Sequence, residues 1–155
     1  MNINIAVGII VFLHDLFTAT WIGGLIAIGL TTLPAAKQTL GKSEQMKSLM
    51  DKIMKRQSVL VYTSMAGLVL TGLLLSRRAQ AYTGLVTFGN TYSTLLSFKH
   101  LIVLAMIAFS LFRSLATRKL QPGQSGERLS ILLLYFNIGL GVLVLLLSGL
   151  LATLS

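Results

Sequence analysis

His14 and Asp15 stand in an otherwise charge-free apolar run, IAVGIIVFLHDLFTATWIGGLIAIGLTTLPAA, reaching from Ile5 to Ala36. About 20 apolar residues cross a bilayer, so both groups are expected at membrane depth. An ionisable side chain is costly there and marks a site that faces the protein interior. His100, the second of the chain's two histidines, opens another apolar run directly after Lys99. Imidazoles on facing membrane helices ligate haem iron, and imidazole also suits copper. Two histidines on two spans therefore point to axial ligation of a b-type haem, with copper ligation as the competing chemistry. Each histidine also has a plainer use, a hydrogen bond to a carbonyl or hydroxyl in a packed interface.

The neighbouring residues divide by the same chemistry. Asp15 is turned about 100° round the helix from His14, so it suits a partner on another helix, such as His100 or Lys99. There it would fix a ligand's tautomer from behind; in a copper site it would be a ligand, and in a proton-coupled site a relay. Trp21, seven residues after His14, falls on nearly the same helical face and is expected to line the interior, as core or pocket wall. Arg77, Arg78 and Lys99 are expected at the outer ends of their spans, where cations either snorkel to the interface or bind haem propionates. Met46, Met50 and Met54 recur every four residues, and thioethers bind copper(I). Leu49 and Ile53 on the same side, with lysines opposite, make that segment an amphipathic helix leading into the second span.

The elements that must position these residues are membrane helices. Of 155 residues, 54% are hydrophobic and only 11% charged, and mean hydropathy is +0.81. Soluble domains carry about 25% charged residues. The composition predicts an all-α integral membrane protein, a single four-helix transmembrane bundle over residues 1–155. Its spans are expected at about 5–33, 58–76, 91–115 and 129–154. Pro34 and Pro122-Gly123 fall just outside spans, where helices are expected to stop. The segment AQAYTGLVTFGNTY reads as a loop with interfacial aromatics. The start lacks a basic n-region and its apolar run is long for a signal segment, so it reads as a retained first helix. With no cysteine, disulfides, thiolate metal sites and iron–sulfur clusters are excluded.

A net charge of +9 raises nucleic acid as a partner, but the charges sit between apolar runs, so no nucleic acid is expected. Ten of the 13 Lys and Arg residues fall in the first loop (Lys37 to Arg56) and around the third (Arg113 to Arg128). The positive-inside rule makes those loops cytoplasmic and both termini external, in the cell membrane. Spans one and three then run the same way, with His14 and His100 each about nine residues in, roughly 13 Å below the outer surface.

The chain resembles the copper-resistance protein D (CopD) family of membrane proteins and, more distantly, the HemJ-type protoporphyrinogen oxidases. The resemblance rests on His14-x5-Thr20-Trp21-x2-Gly24-Leu25 in span one and on Phe98-Lys99-His100-Leu101 opening span three, with Arg113 closing KHLIVLAMIAFSLFR. It covers spans one to three. The HemJ-type proteins tie a first-helix histidine and a third-helix lysine to haem b, which implies His14 and Lys99 here, while His100 stands beside that lysine as the other candidate. At the end of helix one this chain reads TTLPAAKQ and shares only the Leu33-Pro34 pair with the HemJ pattern. Resemblance to the copper family implies copper transport across the membrane.

The combined expectation is a b-type haem protein acting in electron transfer or haem-dependent oxidation, with copper passage through His14, Asp15 and His100 as the alternative. A third possibility is an accessory subunit of a larger membrane complex. Expected partners are the lipid bilayer, further copies or a larger assembly, and a quinone-like or protein redox partner.

Overall fold

A computed structural model describes residues 5–77, 88–119 and 124–154. Among them there is no strand. Four helices carry the chain: α1 (Ile5–Leu40), α2 (Glu44–Ser76), α3 (Thr91–Lys119) and α4 (Gln124–Ala152). Each is long and apolar enough to cross a membrane. The chain divides into two compact units, Met1–Leu75 and Ser76–Ser155, each built on a helical hairpin. Arg78, Tyr82 and Pro122-Gly123, and most of the connection between spans two and three, lie outside the described residues.

In the first unit α1 passes through Pro34 instead of stopping before it, which corrects the expected helix end. Proline has no N–H, and its ring presses on the carbonyl four residues back. Two wider π-helical stretches, Ala19–Gly23 and Ala27–Thr32, interrupt α1, and the second ends just before the Leu33-Pro34 step. The backbone stays helical through them, with φ −61° and ψ −39° at Gly23 and φ −66° and ψ −46° at Leu33. Backbone groups freed in such a stretch need local partners inside a membrane. Two hydroxyls add bonds within the second stretch: Thr31 donates to the Ala27 carbonyl, and so does Thr32 at 3.1 Å. The helix ends instead at Gly41, whose φ of +59° favours glycine. Its N–H donates to the Lys37 carbonyl at 3.1 Å.

Ser43 then caps α2, its hydroxyl accepting the Met46 N–H at 3.1 Å. The amphipathic methionine segment and the second span are one unbroken helix of 33 residues. Met46 is buried, while Lys47, Lys52 and Lys55 are exposed. The two helices of this hairpin are antiparallel: Phe17 lies over Gly67, and Gln57 lies over Gly24. Val61, Ser64, Met65, Thr71 and Ser76 form the buried stripe of α2. Small and hydroxylated residues at such a seam let backbones approach where apolar burial alone gives no drive. On α1 the outward stripe is Ile5, Ile9, Phe12 and Leu16, all exposed.

The second unit repeats the arrangement with different chemistry. Asn90 caps α3, its side-chain oxygen accepting the Ser93 N–H at 2.7 Å. Buried positions on α4 recur every three or four residues, at Leu134, Asn137 with Ile138, Gly141, Val144, Leu147 and Leu151, as a single-faced helix requires. Phe109 of α3 and Phe136 of α4 meet edge to face, with ring centres 5.2 Å apart. Beside them Asn137 Nδ2 donates to the Ser110 hydroxyl at 2.8 Å and to the Met106 carbonyl at 3.4 Å.

Candidate functional site

His14 sits mid-helix on α1, half-buried, with its ring turned toward α2. Its Nδ1 lies 2.9 Å from the Thr71 hydroxyl. That hydroxyl donates its own proton to the Gly67 carbonyl, one turn back on α2, at 2.7 Å. A hydroxyl has one proton to give and lone pairs to accept with, so it accepts from His14 Nδ1–H. In the neutral ring, donation from Nδ1 would leave Nε2 as the unprotonated nitrogen, the atom through which an oriented imidazole can ligate a metal. Gly72, next to Thr71, lies beside the ring, and a Cβ there would stand 3.6 Å from His14 Cε1. The hydroxyl contact is the plainer use expected of a membrane histidine, and here the same contact orients the ring.

The remaining first-span residues separate from this pair. Asp15 is exposed, on the outward side that also carries Phe12 and Leu16. Trp21 is 1% exposed, within the first π-helical stretch, and its Nε1–H finds no acceptor. Gln57, packed over Gly24, likewise holds a buried Nε2 with no partner. Buried donors of this kind are ordinarily met by ordered water or a ligand acceptor.

Lys99 and His100 belong to the second unit, both half-buried in the third turn of α3, after an exposed Phe98. Arg77 is exposed directly after α2, and Arg78 falls outside the described residues. Among the described residues no group of three or more His, Asp or Glu side chains gathers as a metal cluster would. A haem asks less of the protein, because the macrocycle brings four nitrogens and needs one or two axial side chains.

Two residues at these seams escaped the sequence reading. Thr71 sits in LVLTGLLL and Asn137 in LLLYFNIGL, each a polar side chain inside an apolar run. Their polarity at membrane depth was the available signal, since such groups bond across helices. No family model, no curated protein and no solved structure matches the chain.

Proposed function

We propose that this is a multi-pass membrane protein that binds a b-type haem through His14 and acts in electron transfer or haem-dependent oxidation. The observation that carries the reading is the His14–Thr71–Gly67 chain of hydrogen bonds, which orients the imidazole of a membrane-length helix toward its neighbour. Such a partner fixes ring orientation before any ligand arrives and raises the basicity of the ligating nitrogen. The donor set fits as well: one or two imidazoles suffice for haem iron, whereas a bare copper ion calls for several side chains together.

In this reading His14 would hold the haem iron, with His100 and Lys99 as the candidate residues for a second ligand. Neutral imidazole coordinates directly, while an ammonium must first lose a proton. Arg77 and Arg78 would supply cations for the haem's propionate groups, and Trp21 would line its pocket. Bound haem would supply one-electron redox chemistry. The protein's own part is to orient His14, to keep water from it within apolar helices, and to present a lipid-facing surface to a quinone-like or protein redox partner. Elemental and haem analysis of protein purified from haem-sufficient cells tests this. Near-stoichiometric extractable haem supports the reading, and copper without haem supports copper transport instead.

A further inference from the structure

The amphipathic start of α2 carries a shallow, open groove of about 570 Å³. Among the described residues it is lined by Leu49, Lys52, Ile53, Lys55, Arg56 and Val59. We propose that this groove is a binding site for an anionic phospholipid. Three observations meet there.

The first is charge. Lys52, Lys55 and Arg56 are all exposed, and among the described residues no acidic side chain lines the groove, Asp51 being exposed next to Lys52 in sequence. The ion pair nearby, Lys47 with Glu44 at 2.7 Å, lies nearer the start of the helix. The second is apolar surface in the same groove, since Leu49 is 41% and Val59 64% exposed. Three cations alone would suit any anion. Cations interleaved with exposed aliphatic side chains suit a molecule with a phosphate at one end and hydrocarbon at the other. The third is position along the helix. The groove straddles the start of the uncharged stretch of α2 from Ser58 to Ser76, where a membrane-crossing helix would pass the headgroup layer. Basic clusters beside a span recognise anionic headgroups in this way. Arg56 can bind phosphate oxygens through two N–H groups at once, while Leu49, Ile53 and Val59 receive the upper methylenes of an acyl chain.

The test is native mass spectrometry of the full chain in detergent, titrated with phosphatidylglycerol or with phosphatidylcholine of identical acyl chains. The wild type should prefer phosphatidylglycerol, and the K52Q/K55Q/R56Q variant should lose that preference by roughly tenfold or more. A K37Q/K42Q/K47Q variant removes the same charge from neighbouring exposed positions and should keep the preference. Equal loss in both variants would reduce the effect to bulk charge and overturn the site. Displacement of the lipid by inorganic phosphate alone would make it a free-anion site and overturn the lipid assignment. Undiminished preference in K52Q/K55Q/R56Q would overturn the proposal outright and leave the groove to another occupant, such as an acidic protein segment. None of these outcomes depends on haem, so the groove and the haem reading stand or fall separately.

Discussion

At the scale of single residues, the structure separates groups that the sequence could only set side by side. His14 and Asp15 are adjacent, yet His14 turns to Thr71 while Asp15 is exposed with the outward apolar side chains. The histidine was legible because an ionisable group in an uncharged run stands out. Its partner was not, because Thr71 is 57 positions away and only antiparallel pairing brings the two together. This gives opposite expectations for neighbouring substitutions. Thr71→Val keeps the shape but removes the acceptor, and should weaken haem retention roughly 10- to 100-fold, the usual cost of losing a ligand's supporting hydrogen bond. Thr71→Ser should restore it. Asp15→Asn should leave haem content unchanged; haem loss in that variant would return Asp15 to a supporting role. Haem titration of the three purified variants measures all of this.

At the scale of elements, composition and periodicity located all four helices, but their ends and irregularities depended on local chemistry. Pro34 is a reliable helix stop in water, where freed backbone groups are solvated. Inside this apolar helix a wider π-helical stretch runs up to Leu33, and the helix continues through the proline. Ser43 was hidden because a capping residue inside a charged loop looks like any other polar residue. The α1–α2 seam gives a graded expectation for two glycines. A Cβ at Gly67 would overlap the Phe17 ring, a rigid body packed in the seam, whereas one at Gly24 would meet the tip of the flexible Gln57 side chain. Gly67→Ala should therefore destabilise by about 1–3 kcal/mol, the usual cost of overpacking. Gly24→Ala should cost less, because Gln57 can swing away. Thermal unfolding in detergent followed by circular dichroism would rank the two, and the reverse order would contradict this seam.

At the scale of the whole molecule, four membrane-length helices and the placement of charge set the expectations. The structure supplies the helices, and the positive-inside rule applied to the sequence supplies an expectation for sidedness. Because the wild type has no cysteine, single cysteines report sidedness cleanly. Gly89 and Lys42 are both exposed and precede α3 and α2, respectively. An impermeant thiol reagent applied to intact cells should label Gly89→Cys and spare Lys42→Cys. The reverse pattern would turn the protein over and remove the outer-face role given to Arg77 and Arg78. The two histidines were legible as candidate ligands by residue type, since ionisable groups are rare in apolar helices. The Thr71 contact that orients His14 comes from the fold and not from the spacing. The visible spectrum of the purified protein, oxidised and then reduced, tests the central claim most directly. The account predicts sharp α and β bands on reduction, lost in a His14→Ala variant that remains helical. Colourless wild-type protein from haem-sufficient cells, or a spectrum that survives His14→Ala, would contradict it.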